Sequence, residues 1–220
     1  MQAVILAAGK GERLLPLTQD IPKPMVFVGQ QTIFEWCLQP LRESGLFDNY
    51  VVCTGYKENM LIDFIKEGVH YAEFPADIKF STGGPRGVNG DLLAAKDFLE
   101  DRFVLVNGDT YVEIDYEKFK DFHSSHSGLA TMAVSKYGDH NYRIYRENGN
   151  VLEHSTIPNC TDAGVCVCEK KALDLIDAAH QNLHFGAVET GGFLMGFDVG
   201  KFYDLGTHEG IETFKRERGI

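Results

Sequence analysis

The order of apolar and polar positions divides the chain into short apolar segments and longer amphipathic ones. Apolar runs typical of strands occur at residues 3–8, 50–54, 77–81, 103–106, 129–137 and 164–168. Amphipathic stretches predict helices at 33–44, 58–66, 91–99, 115–125 and 170–180. The pattern also predicts a hairpin at 142–154 and, at 202–217, a short strand, a turn and a closing helix. This alternation of strands and helices indicates an α/β fold with a mainly parallel sheet.

Capping residues set the boundaries of two of these helices. Thr32 and Glu35 form a capping-box pattern at the start of the first helix, and Gly45 follows its end at Ser44. Gly68 is expected to close the second helix in the same way. No repeat or low-complexity tract interrupts the pattern, so the expected organisation is a single domain over residues 1–220.

The first strand runs directly into a charged loop that contains two glycines. Gly9 and Gly11 have no Cβ, so the backbone N–H groups around them can come close to an anion. Arg13 adds a planar charge that suits phosphate oxygens. Lys23 stands between two prolines, in a segment that is not expected to be helical. These features predict a triphosphate-binding loop with a lysine held beside it.

Three other interpretations of the glycines compete with this one. A dinucleotide fingerprint needs a third glycine where Leu14 stands, and an acidic residue where the second strand ends in Thr54 and Gly55. A Walker loop needs G-x-x-x-x-G-K-[ST], which is absent. A strand–loop turn without a ligand would fit the glycines alone. The lysine between prolines favours the phosphate loop.

Residues 5–25 closely resemble the signature of the sugar-1-phosphate nucleotidyltransferases, roughly A-G-G-x-G-x-R-L-x-P-L-T-x-x-x-P-K-P. The segments 8–14, 16–18 and 22–24 match in order and spacing. Glu12 departs from the small residue usual in the family and is expected to point away from the phosphates. The resemblance implies a Rossmann-like, GT-A-like α/β fold with helices on both faces of the sheet and a small β-rich sugar-binding part.

The resemblance also divides the single catalytic domain, with the nucleotide half at about 1–110 and the sugar-phosphate half at about 111–220. The hexapeptide-repeat acyltransferase domain of some relatives is not expected. The implied reaction is attack of a sugar 1-phosphate oxygen on the α-phosphorus of a nucleoside triphosphate, giving an NDP-sugar for polysaccharide or glycan synthesis. Arg13 and Lys23 would be catalytic. The expected nucleotide-binding residues are Leu6, Ala7, Ala8, Gly9, Gly11, Arg13, Asn89 and Gly90.

Two aspartates resemble the family's metal ligands. Asp109 ends the run V-L-V-N-G-D just past an apolar strand, and Asp204 lies in F-Y-D-L-G-T. The resemblance implies that they share one Mg²⁺ or Mn²⁺, ions that prefer carboxylate and phosphate oxygens. Either aspartate alone fits an ordinary turn or helix cap. Only the fold could unite residues 95 positions apart.

The remaining expected substrate contacts concern the sugar and the base. The resemblance implies that Lys23, Asn107, Asp162 and Gly164 bind the sugar phosphate, with the Gly164 amide facing the sugar. The loop at 82–90 corresponds to the family's base-reading loop, but Asp91 stands where a small residue is usual. Its carboxylate would either accept hydrogen bonds from a guanine edge or favour the first turn of a helix. The base and the sugar stay open.

Composition excludes several other classes of function. The net charge of −11 disfavours nucleic-acid binding, which needs a basic face. No apolar run approaches a membrane span and no signal peptide pattern is present, so a cytoplasmic protein without a membrane partner is expected. The five cysteines form no C-x-x-C pair and are expected to be buried reduced thiols. His123 and His126 lack a third zinc ligand and predict a solvated helix face.

As a short form with a single domain, the chain most resembles the heptose-1-phosphate guanylyltransferases and the N-acetylmuramate-1-phosphate uridylyltransferases. Two alternatives remain. The first is a cytidylyltransferase that acts on a phosphocholine-like phosphomonoester, and the second is a non-catalytic nucleotide-sugar-binding subunit. A silent subunit could dispense with Arg13, Lys23, Asp109 and Asp204, and all four are present. The resemblance is compatible with a homodimer.

Overall fold

The structure, a computed structural model, describes residues 1–70, 74–75, 77–137, 143–147, 150–152, 160–176 and 194–220. The strands are β1 (Gln2–Ala7), β2 (Phe27–Val28), β3 (Gln31–Thr32), β4 (Asn49–Thr54), β5 (Ile78–Ser81), β6 (Arg102–Asn107), β7 (Thr110–Val112), β8 (Ala130–Ser135), β9 (Arg143–Glu147), β10 (Asn150–Leu152), β11 (Cys160–Glu169), β12 (Leu194–Asp198) and β13 (Phe202–Asp204). The helices are α1 (Ile33–Ser44), α2 (Glu58–His70), α3 (Gly87–Ala95), α4 (Tyr116–Ser124) and α5 (His208–Arg218).

One sheet organises the described part of the chain. Its strand order is β5-β4-β1-β6-β11-β8-β12-β10-β9. The strands β5, β4, β1 and β6 are parallel, whereas β11 joins β6 and β8 in antiparallel orientation. The predicted α/β class is confirmed, with four adjacent parallel strands from the first half of the chain and a further parallel pair, β8 and β12, from the second half. Because β1 and β6 are parallel neighbours, the loops that follow them lie at the same edge of the sheet.

The continuous apolar run of β1 reflects burial on both faces of the sheet. Ala3, Ile5 and Ala7 enter one apolar cluster, which also packs against α1 and α2. Val4 and Leu6 face the other cluster, which includes Leu92 of α3. Successive strand residues point to opposite faces, so a strand covered on both sides needs apolar residues at every position.

Several local predictions are confirmed. The Thr32–Glu35 capping box is present, and Gly45 ends α1 in the left-handed conformation. The hairpin of β9 and β10 and the closing unit of β13 and α5 form as expected. The predicted helix at 170–180 is a 3₁₀ helix at Lys170–Leu175. Residues 148–149 of the hairpin turn and 177–180 lie outside the described residues.

The prediction that Gly68 closes the second helix is wrong. α2 continues through Gly68 to His70. A Cβ at Gly68 would lie 2.1 Å from Cδ2 of Phe74, whose ring packs edge-on against Phe34 and Phe64. The glycine therefore makes room for an aromatic ring instead of ending the helix.

Because of this contact, replacing Gly68 by alanine should have the opposite effect on stability from the usual one in a helix. Gly→Ala in a helix interior normally stabilises by about 1 kcal/mol, whereas overpacking a core costs about 1–3 kcal/mol. We expect Gly68→Ala to lower the free energy of unfolding by about 1–2 kcal/mol in urea titrations. In a Phe74→Leu background, where the ring is absent, Gly68→Ala should cost much less stability than it does in wild type. A single variant more stable than wild type would contradict the ring contact.

The predicted start of the third helix is also wrong. α3 begins at Gly87, not at Asp91, and ends at Ala95 before a 3₁₀ turn at Lys96–Phe98. A Cβ at Gly90 would lie 2.5 Å from Cβ of Arg86. Glycine at this position therefore serves close packing inside the helix, not the flexibility of a loop.

The expectation of a solvated face for His123 and His126 is wrong for His123, which is buried at the opposite edge of the sheet from the loop after β1. Gly128 N–H donates to His126 Nδ1, so neutral His126 carries its proton on Nε2, 2.9 Å from Thr131 Oγ1. Thr131 Oγ1 lies 2.7 Å from His123 Nδ1 and can donate to it. His123 Nε2 then donates to Glu169 Oε1 at 3.1 Å. When both rings are neutral, each hydrogen bond in this chain therefore has one defined donor and one defined acceptor.

Burial lowers the pKa of His123 and the pKa of His126 below the ordinary value. Below about pH 6.5 the unfolded chain therefore binds more protons at these rings than the folded chain does. We expect the free energy of unfolding to be steady above this pH and to fall as the pH drops toward 5.5. Urea titrations of wild type, the His123→Gln/His126→Gln variant and the control His208→Gln test this. An unchanged pH slope in the double variant would contradict it.

The five cysteines are buried and none forms a disulfide, as predicted. Among the described residues, no helix combines the length and the apolar character needed to cross a membrane.

Candidate active site

The loop after β1 is shaped by Gly11 and by the residues packed on it. Gly11 has φ +70°, and a Cβ there would lie 2.8 Å from Cβ of Lys23 and 2.9 Å from Cγ2 of Thr18. The buried Thr18 hydroxyl donates to the Gly11 carbonyl at 2.9 Å. Gly11 thus allows both the left-handed turn and the passage of the lysine stem. The local sequence does not indicate this role of Thr18, although the residue lies in the matched signature.

Lys23 reaches across this loop to the end of β6. It begins a short 3₁₀ helix, Lys23–Met25, so the expectation of a non-helical segment is wrong. Pro24 fits there because the first turn of a helix needs no N–H from it. The Lys23 Nζ atom lies 2.6 Å from Asp109 Oδ2, and 3.9 Å from the position of a Cβ on Gly9.

A two-stranded ribbon unites the two aspartates. β7 follows Asp109 directly and pairs in antiparallel register with β13, so that Asp204 lies opposite Thr110. The Leu205 N–H donates to the Asp109 carbonyl at 2.7 Å and extends this pairing. The fold thereby brings together the residues that sequence separation kept apart.

Four charged side chains meet at this point. Arg13 Nη1 lies 2.9 Å from Asp204 Oδ2, and Arg13 Nη2 lies 3.9 Å from Asp109 Oδ2. The side chains of Lys23 and Asp109 are 14% and 16% exposed, and those of Asp204 and Arg13 are 23% and 46% exposed. Burial, and then the negative charge of Asp109, raise the pKa of Asp204 above its ordinary value. The two carboxylates are thus close enough to repel one another, and the two cations offset that repulsion.

The donor set fits a hard divalent ion. A Cβ at Gly206 would lie 2.5 Å from Asp109 Oδ2 and 2.8 Å from Asp204 Oδ1, so both oxygens border space that only glycine leaves open. Among the described residues no group of three or more His, Cys, Asp or Glu side chains could hold a metal. An ion bound here would therefore need further oxygens from a substrate, which is typical of Mg²⁺ bound with phosphates.

An open pocket of about 410 Å³ lies beside these charges. Its lining residues are Lys10, Gly11, Glu12, Arg13, Lys23 and Gly206. Glu12 is 75% exposed, and its carboxylate lies 4.0 Å from the Lys10 ammonium. The pocket therefore presents Lys23 and Arg13 beside the backbone of the glycine loop, as binding of a phosphate chain requires.

The expected sugar-binding residues lie on the neighbouring strands. Asn107 ends β6, and β11 has a register irregularity between Asp162 and Cys166. Gly164, at φ +73°, would place a Cβ 3.0 Å from Asn107 Nδ2. Its amide donates to Asp162 Oδ1 at 2.8 Å, and the contact of this amide with a sugar stays a prediction. Asn107, Asp162 and Gly164 nevertheless form one group.

The loop expected to read the base lies beside the ends of β1 and β4. The Gly84 N–H donates to the Thr54 carbonyl at 3.0 Å, and a Cβ at Gly84 would lie 2.7 Å from Cβ of Ala8. Asn89 and Gly90 are buried within α3. Asp91 is also buried, which raises its pKa, and its Oδ1 accepts from the Arg86 N–H at 3.1 Å. This contact favours a structural role for Asp91 over the reading of a guanine edge.

The chain is similar in sequence to a known family model and to several curated proteins. The family model described as "Nucleotidyl transferase" matches residues 2–145. The chain is 31% identical over 183 residues to the bifunctional protein GlmU of Methanocaldococcus jannaschii, covering 80% of this chain and 42% of that protein. It is 28% identical over 210 residues to a UTP–glucose-1-phosphate uridylyltransferase of Synechocystis sp., covering 82% and 52%. The chain spans about half the length of these curated relatives.

A solved structure shares the fold. HddC from Yersinia pseudotuberculosis, complexed with GMP-PN, aligns over 99% of both chains with a TM-score of 0.79 and 23% identity. This likeness supports the Rossmann-like nucleotidyltransferase fold implied by the signature. The matched family model covers well over half of the chain and includes the glycine loop, Lys23 and Asp109. The chain therefore belongs to the nucleotidyl transferase family.

Proposed function

We propose that the chain transfers a nucleotidyl group from a nucleoside triphosphate to a sugar 1-phosphate, giving an NDP-sugar and pyrophosphate. The observation that carries this proposal is the meeting of Lys23, Arg13 and two carboxylates beside the glycine loop. The relative that acts on glucose 1-phosphate supports a sugar 1-phosphate as the acceptor.

The chemistry explains why the site is rich in charge. A phosphate oxygen of the sugar 1-phosphate forms a bond to the α-phosphorus, and the bond to the bridging oxygen of pyrophosphate breaks. The leaving pyrophosphate takes the electron pair. Because the attacking oxygen is already anionic, no general base is needed. The protein must instead bring two anions together and offset the charge on the α-phosphoryl oxygens.

The chain's own groups divide this work. The amides of the glycine loop and Arg13 would bind the β- and γ-phosphates, and Lys23 would neutralise the α-phosphoryl group and the incoming sugar phosphate. Asp109 and Asp204 would hold Mg²⁺ or Mn²⁺, which when bound lowers the negative charge at the α-phosphoryl group. The nucleotide would lie along Leu6, Ala7, Ala8, Gly9, Gly11, Asn89 and Gly90. The sugar phosphate would lie against Asn107, Asp162 and Gly164.

The test is a matrix of ATP, GTP, CTP, UTP and dTTP against a panel of sugar 1-phosphates, with phosphocholine added. Pyrophosphate release is measured with Mg²⁺ and with EDTA. We expect release that needs one triphosphate, one sugar 1-phosphate and the metal. Release only with CTP and phosphocholine would indicate the cytidylyltransferase. Tight nucleotide binding without release on any pair would indicate the non-catalytic subunit.

We further propose that the product serves polysaccharide or glycan precursor synthesis in the cytoplasm. Neither nucleic acid nor a membrane is a proposed partner. The homodimer stays a prediction, and sedimentation of the purified protein can test it.

A further inference from the structure

The charged groups of the site are paired with one another. Lys23 Nζ lies 2.6 Å from Asp109 Oδ2, a distance of a strong charge-assisted hydrogen bond. Arg13 Nη1 makes a similar contact at 2.9 Å with Asp204 Oδ2. The cations that would bind phosphate therefore have carboxylate partners, and the carboxylates that would bind a metal have cationic partners.

We propose that Asp109 and Asp204 hold Lys23 and Arg13 in place until a metal ion and a triphosphate bind together, and that each ligand releases the groups that the other needs. This inference rests on the proposed function for the identity of the two ligands. A metal ion on the carboxylates frees the cations for phosphate. A triphosphate on the cations frees the carboxylates for the ion. By linkage, each ligand then raises the affinity for the other by the same factor.

The burial of the pairs strengthens this coupling. Lys23 and Asp109 are both largely withdrawn from water, where opposite charges attract more strongly than at an exposed surface. A triphosphate alone must displace Asp109 from Lys23 and also face the negative charge of the released carboxylate. Metal-free nucleotide should therefore bind weakly, although Lys10, Arg13 and Lys23 line the pocket.

The test is a double-mutant cycle on nucleotide binding without metal. Calorimetric titrations with GTP and with UTP are made in EDTA on wild type, Asp109→Asn, Lys23→Met and the variant with both changes. Asp174→Asn is the matched control, since it removes one carboxylate from an exposed pair with Lys96. The Met side chain keeps the stem that packs over Gly11 and removes the charge.

We expect Asp109→Asn to bind metal-free nucleotide about tenfold more tightly than wild type, because Lys23 has lost its internal partner. In the Lys23→Met background the same change should gain only about twofold, because it then removes only the repulsion between Asp109 and the phosphates and the longer 3.9 Å contact with Arg13. The control should leave the affinity unchanged.

Two results would overturn the proposal. An equal gain in both backgrounds would mean that Asp109 acts only by repelling the phosphates. The absence of a gain in either background would mean that the internal pair does not compete with nucleotide. Failure of the proposed function would show separately, as absence of pyrophosphate release from wild type with metal, since the cycle measures binding alone.

Discussion

Asp109→Asn and Asp204→Asn should each lower turnover by about 10²-fold or more, and should raise the metal concentration needed for the remaining activity. Asparagine keeps the shape of the side chain but removes the charge that a hard divalent ion requires. The double variant should be little worse than either single one, because groups that hold one ion act as a unit. Metal titrations of pyrophosphate release on the four proteins make the comparison.

Asp174→Asn again serves as the control for loss of one negative charge, and its turnover should match wild type. Asp204→Asn is the more demanding variant, because Asp204 comes from a distant part of the chain and is brought to the site by the β7–β13 ribbon. Unchanged activity and metal dependence in Asp204→Asn would mean that the two aspartates do not share an ion.

Lys23→Met should lower turnover by roughly 10²- to 10³-fold, the scale for removing one preorganised charge from a transition state. The methionine stem can still cross Gly11, so the loop should keep its conformation. The pairing with Asp109 means that the change also leaves a largely buried carboxylate with a weaker partner, and we expect a loss of about 1 kcal/mol in stability. Single-turnover kinetics and thermal unfolding separate the two effects.

Lys96→Ala removes an exposed lysine from a surface pair with Asp174 and should leave turnover unchanged. Near-normal single-turnover rates in Lys23→Met would exclude Lys23 from the chemistry. A large loss of stability with a normal rate would make it a structural lysine.

Features that depend on neighbouring residues in the sequence were predictable. The apolar run of β1 reported burial on both faces, and the capping box of Thr32 and Glu35 marked the start of α1, because each signal lies within a few residues. The extent of α2 was not predictable in this way. Whether Gly68 ends a helix or makes room for a ring depends on Phe74, whose position the tertiary structure sets. The antiparallel entry of β11 likewise depends on strand order, which periodicity does not report.

In the candidate site, too, the features predicted from local sequence differ from those that depend on tertiary contacts. The signature predicted Arg13 and Lys23 and the strand-end motif predicted Asp109 from short local spacings, and the structure brings these three side chains together. The pairing of Lys23 with Asp109 joins residues far apart in the sequence, and the contact of the Thr18 hydroxyl depends on the conformation of the loop. Neither contact can be predicted from a local sequence pattern. His123 was misjudged for the same reason, since helical spacing shows which face it occupies but not that Glu169 and Thr131 cover that face.

The β7–β13 ribbon makes the last carboxylate of the site depend on local stability. A ribbon of three residues per strand cannot by itself offset the entropy of closing so long a loop. It is stabilised by the packing of its buried neighbours, with Phe202 in the core beneath the sheet and Leu205 against Phe214 of α5. Partial opening of this C-terminal segment would leave the sheet folded and Lys23 in place, but without Asp204. The fraction of competent molecules would then follow the amide-exchange protection of residues 202–218, not the stability of the whole domain.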